Sequence, residues 1–275
     1  MSRLARCQPR KRILVEPLFW TRLHLYILSC TFSQCSPARQ DMIDVPPIDE
    51  LGIAKFKRLF YDVRDIWTLE TGAIRGILIN LKPLPFQCRQ DLFLRLGDHR
   101  RVCLGCHYYC LGDNIPVAAY IDHGRIKIQR TIRVEPPIRQ CKHPAMNHPA
   151  INLGKLKLKR ITPIEPLHDP YLRALGRLNL QQAAGVTGVT PKLIFSTKDR
   201  HYIYIYSANI PSSVIGMFDN PSTKPSAPNH LFVQITSIPL EPVKSLRSRL
   251  LAVLLSTTSL EDAEKPEKLI VYANT

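Results

Sequence analysis

Proline recurs along the whole chain and limits the structures that the chain can form. The 275 residues contain 23 prolines and 12 glycines, and both types are scattered. A proline removes a backbone N–H and fixes φ, so it interrupts helices and is confined to the edges of sheets. No heptad pattern persists, which excludes a coiled-coil rod, and the scattered glycines exclude a collagen-like one. The chain is therefore expected to form short helices and strands. Its length of 275 residues allows one large domain or two small ones.

Hydrophobic periodicity predicts helices in the first half of the chain. Apolar residues recur with helical spacing over 51–61 and 74–81, and Asp49 is a suitable N-cap for the first of these helices. A third helix is predicted over 86–96, with Gly97 as its end.

One stretch near this third helix is similar to a known module. Leu84-Pro85, Leu92-Phe93, Leu96 and Asp98 resemble the opening helices of an F-box, which recruits substrates for ubiquitination. The resemblance covers this stretch alone, and it implies a protein adaptor.

The spacing of apolar residues shortens from about 3.6 residues to 2 residues after the cysteines at 103–110. Residues 117–121 and 125–134 predict the two strands of a hairpin, with Asp122-His123-Gly124 as its turn. The run from Lys155 to Lys159 alternates strictly between lysine and leucine, so it predicts a half-buried strand.

The C-terminal part combines helices with strands. Asp169 and Pro170 predict the start of a helix, and Gly185 predicts its end. Further elements are predicted as strands over 193–196, 202–207 and 231–238 and as helices over 212–218 and 242–255. The predicted fold class is therefore α+β, with N-terminal helices, a central Cys/His-containing β-hairpin region and a C-terminal mixed α/β part.

The formal net charge of +16 is unevenly distributed. Residues 1–40 carry seven bases and one acid, and residues 101–165 carry eleven bases and four acids. An excess of positive charge favours acidic partners such as nucleic acid.

The basic, acid-poor segment 1–40 is predicted to be a disordered or targeting extension. Mitochondrial and secretory targeting both stay open, and the uncharged run at 23–38 is shorter than a membrane span. The remaining chain is predicted to contain two regions, 41–165 and 166–256, which form either two domains or one continuous domain. A frayed tail is predicted at 257–275.

The location predicted from composition is intracellular, in the cytoplasm or nucleus. The chain has no Asn-x-Ser/Thr acceptor, and five cysteines, an odd number, follow residue 38. Both observations favour a reducing compartment.

Cysteine and histidine cluster within residues 99–148, which hold nine of the chain's 17 such residues. The two-residue spacing of Cys103 and Cys106 lets two thiolates face one ion, and Cys141 with His143 supplies a second pair. These residues predict a structural Zn²⁺ site that pins a knuckle to the predicted hairpin. The remaining candidate ligands are Cys110 and His148. The alternative is buried free cysteines with exposed histidines.

Two other chemistries share this window. Cys103-Leu-Gly-Cys106-His107 matches the pattern of c-type haem attachment, although no methionine stands out as a second ligand. Asp122-His123 resembles the metal-dependent His nucleases, in which a histidine activates water beside a metal-bound phosphate. The chain contains no P-loop, nucleophile elbow or HExxH helix.

Basic residues surround the cluster and predict phosphate contacts. The candidates are Lys127, Arg130, Arg133, Lys155, Lys157 and Lys159. We therefore expect a non-enzymatic binding or adaptor protein with a protein partner and a structural zinc knuckle. The alternative is a nucleic-acid-binding protein that uses residues 125–160, and a metal-dependent nuclease is a more distant one.

Overall fold

The structure is a computed structural model. It describes residues 15–27, 29–39, 43–61, 67–79, 86–96, 100–111, 115–134, 148–172, 192–208 and 231–256.

A seven-stranded sheet organises the described residues. Its strands in chain order are β1 (Cys30–Pro37), β2 (Phe86–Leu96), β3 (Arg100–Leu111), β4 (Ile115–Asp122), β5 (Lys192–Ser196), β6 (Tyr202–Ala208) and β7 (Leu231–Pro239). Their order across the sheet is β1-β7-β6-β5-β4-β3-β2. Strand β1 pairs with β7 and β4 pairs with β5 in parallel, while the other neighbours are antiparallel. The fold is therefore α+β with a mixed sheet.

Helices cover both faces of this sheet. The α-helices of the described residues are α1 (Arg22–Ile27), α2 (Glu50–Phe60), α3 (Trp67–Ile79), α4 (His123–Val134), α5 (His148–Ile161) and α6 (Val243–Leu255). Short 3-10 turns lie at Pro17–Phe19 and Pro166–His168. Another helix begins at Pro170.

Strand alternation gives the sheet two apolar faces and the molecule two cores. On β6, Tyr204 and Tyr206 belong to the first core, whereas Ile203 and Ile205 belong to the second. The first core lies under α1 and α4, and the second lies under α2, α3 and α6. Because helices cover both faces, the central strands are buried on both sides.

Several predicted elements agree with the structure. The helices over 51–61, 74–81 and 242–255 correspond to α2, α3 and α6, and the strands over 193–196, 202–207 and 231–238 correspond to β5, β6 and β7. The Asp49 carboxylate caps α2 by accepting a hydrogen bond from the Gly52 N–H at 2.7 Å. The Asp169 carboxylate accepts one from the Tyr171 N–H at 2.9 Å where the next helix begins. The predicted end of that helix and the helix over 212–218 lie outside the described residues.

The helix predicted over 86–96 is wrong, because this segment is β2, paired antiparallel with β3. The side chains of Phe86 and Leu92 are buried in the two cores. Pairing with β3 overrides the helical spacing of the leucines, since strand preference depends strongly on tertiary context. The F-box helices expected over this segment are therefore absent from it.

The hairpin predicted over 117–134 is also wrong beyond its first strand. Residues 123–134 form α4, and the Asp122 carboxylate caps this helix by accepting from the Arg125 N–H at 2.7 Å. The strand predicted over 155–159 is instead part of α5. Both helices place apolar side chains outward as well as inward, so their apolar residues alternate along the chain.

Residues 15–27 and 29–37 belong to the folded body, whereas the composition of 1–40 predicts an extension. The side chains of Trp20 and Phe32 are buried in the first core, and β1 lies at one edge of the sheet. The same sheet takes strands from 41–165 and from 166–256 and joins them through the parallel pair β4–β5. The tail at 257–275 lies outside the described residues.

A buried ion pair ties α4 to two other segments. Arg130 donates from Nη1 to Asp169 Oδ2 at 2.6 Å and from Nη2 to Asp169 Oδ1 at 2.7 Å. Its Nε donates to the Leu18 carbonyl at 3.0 Å. The side chains of Arg130 and Asp169 are 2% and 0% exposed. Such pairs form only where the geometry offsets the loss of hydration, and this one is bidentate.

We expect Arg130→Met to lower the free energy of unfolding by about 3–5 kcal/mol, because it leaves the Asp169 carboxylate buried without its partner. Urea unfolding measures the change. The matched control is Arg133→Met on the same helix, whose side chain is 56% exposed and whose loss is expected to cost about 1 kcal/mol or less. Equal effects of the two substitutions would contradict this account.

Candidate functional site

Helices α4 and α5 lie in the connection between the parallel strands β4 and β5, and they pack against each other. Gly154 is buried at their contact, where a Cβ would lie 3.5 Å from the Val134 carbonyl oxygen. The small residue therefore brings the backbones of the two helices close together. Their remaining faces point away from the sheet.

A basic face covers the outward side of this helix pair. It consists of exposed side chains, namely Lys127, Arg133, Lys155, Lys157, Lys159 and Arg160. Neither helix contains an aspartate or a glutamate. Glu16, from the segment before α1, contacts this face, since its Oε1 lies 3.4 Å from Arg133 Nε. The face therefore carries a strong positive charge that attracts anionic groups.

Exposed apolar side chains lie among these bases on the same two helices and form what we call the apolar ridge. Ile128 and Ile132 lie one turn apart on α4 and are 39% and 68% exposed. Leu153 and Leu156 lie three residues apart on α5 and are 53% and 66% exposed. Residues at these spacings are neighbours on a helix surface. A cluster of exposed apolar residues among charged ones is typical of an interaction surface.

Arg130 does not belong to the basic face, although the sequence groups it with the phosphate-binding candidates. Its guanidinium lies in the core on Asp169 and the Leu18 carbonyl. The other five candidates are exposed on α4 and α5. The sequence does not distinguish Arg130 from its neighbours, because its partner Asp169 lies 39 residues away.

The three clustered cysteines described by the structure lie on β3 rather than in a knuckle. Cys103 is exposed, whereas Cys106 and Cys110 are buried. An extended strand separates residues three apart by about 10 Å along its axis, instead of folding two thiolates around one ion. Within the described residues, no group of three or more Cys, His, Asp or Glu could hold a metal ion.

Of the other predicted zinc ligands, the structure describes His148 but not Cys141 or His143. Cys141 and His143 lie outside the described residues, so the four-ligand site stays a prediction. His148 is the first residue of α5, and it is exposed. The histidine of the haem-like pattern, His107, places its Nδ1 3.8 Å from the Cys88 thiol on β2. Burial raises the pKa of Cys88, which keeps this group a thiol at neutral pH.

His123, the histidine of the nuclease hypothesis, is the first residue of α4. Its Nδ1 is buried and has no hydrogen-bond partner among the described residues. Burial lowers the pKa of His123, an effect that Asp169 partly opposes and that Lys198 strengthens. The imidazole is therefore neutral near pH 7, and protonation would place an unsolvated charge at the start of a helix.

A buried polar network lies near the carboxyl ends of β4 and β5, and sequence reasoning missed it. Arg200 Nη2 donates to Glu70 Oε1 at 2.8 Å, and the Ser196 hydroxyl donates to Glu70 Oε2 at 3.4 Å. The Tyr120 hydroxyl lies 3.0 Å from Ser196 Oγ. Ligands often bind beyond this edge of parallel strands. Here Ser196 is 1% exposed and Glu70 is 7% exposed, so the network links α3 to the sheet instead of presenting a reactive hydroxyl.

Comparisons with other proteins add no family to this picture. The chain matches no protein-family model, no curated protein and no solved structure. Within the part of the chain that the structure describes, no helix is both long and apolar enough to cross a membrane.

Elemental analysis tests the zinc prediction. If Cys103, Cys106, Cys141 and His143 bind Zn²⁺, protein purified under reducing conditions contains about one zinc per chain. The substitution Cys141→Ser should remove that zinc, whereas Cys35→Ser on the exposed edge of β1 should retain it. Metal-free protein that is fully folded would overturn the prediction.

Stability in acid tests the environment of His123. Since its pKa is lowered in the folded state, the unfolded chain takes up a proton first as the pH falls below 6.5. Stability is then lost until the pH passes the folded-state pKa, at no more than about 1.4 kcal/mol per pH unit. The His123→Gln variant should lose less stability between about pH 7 and pH 5 than the wild type.

Two other histidines complete this experiment. Burial also lowers the pKa of His168, so part of the loss in acid should persist in His123→Gln. His201→Gln replaces an exposed histidine and serves as the matched control. An acid sensitivity identical in His123→Gln and His201→Gln would show that His123 makes no such contribution.

Proposed function

We propose that the protein is a non-enzymatic binding protein of adaptor type, which recruits an acidic, amphipathic protein segment through the outward side of α4 and α5. The observation that carries this proposal is the coincidence of the basic face with the apolar ridge on two helices that contain no acidic residue. A helical partner with leucines on one side and carboxylates at its borders complements both features.

The charges contribute mainly to encounter and orientation. Each exposed lysine or arginine at the border of an interface adds little affinity by itself, because solvent screens it. Together they raise the association rate for acidic partners and exclude basic ones. Lys127 and Lys155 represent the two helices in this role, and neither helix contributes an acid that would compensate their charge.

The apolar ridge supplies the burial on which affinity depends. Covering an exposed isoleucine or leucine fully contributes about 1.5–3 kcal/mol. Ile132 and Leu156 are the most exposed members of the ridge, so they have the most area left to bury. Phosphate groups would pair with the bases but would leave these side chains in water. For this reason we prefer a protein partner.

An intracellular location is part of the proposal. Its support is the sequence, since the chain has no Asn-x-Ser/Thr acceptor and an odd number of cysteines follows residue 38. Both features favour a reducing compartment such as the cytoplasm or nucleus.

Nucleic-acid binding is the second candidate, and the exposed lysines of α5 favour it. Lys155 and Lys159 lie one turn apart, and Lys157 and Arg160 extend the positive charge along the same helix. Contacts with phosphates release counterions, so affinity would fall steeply with salt. In this case the apolar ridge would have no effect on binding.

Two probes separate these candidates. The first is a synthetic helical peptide with leucines at i, i+3, i+4 and i+7 and glutamates elsewhere, and the second is a DNA oligonucleotide tested in single- and double-stranded form.

We expect the peptide to bind the wild type. The variant Ile132→Ser/Leu156→Ser should weaken that binding by about tenfold or more, because it removes buried apolar area. The variant Lys155→Gln/Lys159→Gln should weaken it several-fold, and more so at low salt. Fluorescence anisotropy measures each dissociation constant.

The controls make this outcome decisive. Lys244→Gln removes an exposed lysine from α6, away from the basic face, and should change nothing. A scrambled peptide of equal charge should bind more weakly than the amphipathic one. Binding of DNA that responds to the lysine variant but not to the apolar variant would replace the first proposal with the second. Absence of binding to both probes at low salt would overturn both.

A further inference from the structure

A cleft of about 370 Å³ lies between α2 and α3, on the opposite side of the sheet from the basic face. Its volume falls within the range of about 300–1,000 Å³ that is typical of small-molecule sites. Residues from α2, from α3 and from α6 line it together with the extended segment 46–49. The cleft is therefore built from well-separated parts of the chain.

The walls of this cleft are apolar. Phe56 of α2 and Ala73 and Ile77 of α3 line it, and each of them is 3% exposed. Because their side chains are anchored in the second core, the walls do not depend on surface rotamers. A ligand between the helices would contact hydrocarbon on both sides.

The floor of the cleft is open. A Cβ at Gly76 would meet no atom within 4 Å, and one at Gly72 would approach only Leu59 Cδ1, at 3.9 Å. Packing therefore leaves room for a side chain at both positions. A glycine inside a helix lowers its stability by about 1 kcal/mol relative to alanine. At Gly72 and Gly76 the space that a side chain would occupy is part of the cleft.

Two cations also line the cleft. Arg247 of α6 donates from Nε to the Ile77 carbonyl at 3.2 Å and from Nη1 to the Pro46 carbonyl at 3.4 Å. These bonds fix the position of the guanidinium and use two of its five N–H groups. Lys55 of α2 lines the same cleft and is exposed. Asp49 also lines the cleft and keeps its negative charge while it caps α2, so two cations and one anion leave a net positive charge there.

We propose that this cleft binds a small amphiphilic carboxylate. The apolar part of the ligand lies between α2 and α3 over Gly72 and Gly76, and its carboxylate meets Arg247 and Lys55. Apolar walls with a few convergent polar groups are the usual composition of such sites. A guanidinium that the backbone holds in place is suited to a carboxylate, since both groups are planar. The cleft does not overlap the basic face, so this inference is independent of the proposed function.

Calorimetric titration of the full chain with sodium decanoate tests the proposal. We expect saturable binding to the wild type, and binding of decylamine at least about tenfold weaker because its ammonium meets Arg247 and Lys55. The substitution Gly76→Leu fills the open floor and should reduce decanoate affinity by about tenfold or more. The smaller substitution Gly76→Ala should not lower the unfolding midpoint, since a Cβ there meets no atom within 4 Å.

Two further variants show whether a loss of decanoate binding comes from the cleft itself or from a change elsewhere in the fold. Arg75→Leu adds a leucine to α3 at an exposed position outside the cleft and should leave decanoate binding unchanged. Lys55→Gln removes an exposed cation without altering the core and should weaken decanoate several-fold while leaving decylamine unweakened. If Gly76→Leu fails to fold, the Lys55→Gln variant and the decylamine comparison still decide the question. Absence of saturable decanoate binding, equal binding of decylamine, or equal losses in Gly76→Leu and Arg75→Leu would each overturn the proposal.

Discussion

The bidentate pair between Arg130 and Asp169 fixes the orientation of α4, and much of the molecule depends on that orientation. Two full charges leave water there, so the arrangement is stable only if each nitrogen of the guanidinium finds a partner in one geometry. The third partner is the Leu18 carbonyl, which draws the segment before α1 onto the same helix. With Arg130 pointing inward, helical geometry places Ile128 and Ile132 outward. The ion pair thus decides which side chains the connection between β4 and β5 presents to other molecules.

Segments in which most apolar residues face the core are predicted well from the sequence. Helices α2, α3 and α6 each place apolar residues on one side, and β5 to β7 are short β-branched or aromatic runs bounded by turn residues. Helices α4 and α5 are predicted wrongly for an informative reason. Ile126 is buried whereas Ile128 and Ile132 are exposed, and this two-sided arrangement imitates the alternation of a strand. The residues that mislead the prediction are therefore the ones that form the apolar ridge.

Long-range pairing accounts for most of what the sequence does not predict. The ammonium of Lys192 on β5 donates to the Val253 and Ser256 carbonyls at the end of α6, and burial lowers the pKa of Lys192 to about 8. Arg200 reaches Glu70 across 130 residues. No local spacing encodes such contacts, because each depends on the order of strands in the sheet. The cysteines at 103–110 are placed by the same kind of contact, since pairing with β2 and β4 makes this segment a strand.

The position of β1 has a consequence for the order in which the protein is assembled. Strand β1 pairs in parallel with β7, although about 200 residues separate the paired positions along the chain. Closing so long a loop is slow compared with forming the β5–β6 hairpin. During synthesis β1 leaves the ribosome long before its partner exists, and its parallel pairing must wait until β7 is made. The edge of the sheet is thus completed last by one of the earliest segments, so that the middle of the sheet forms the template on which the N-terminal segment docks.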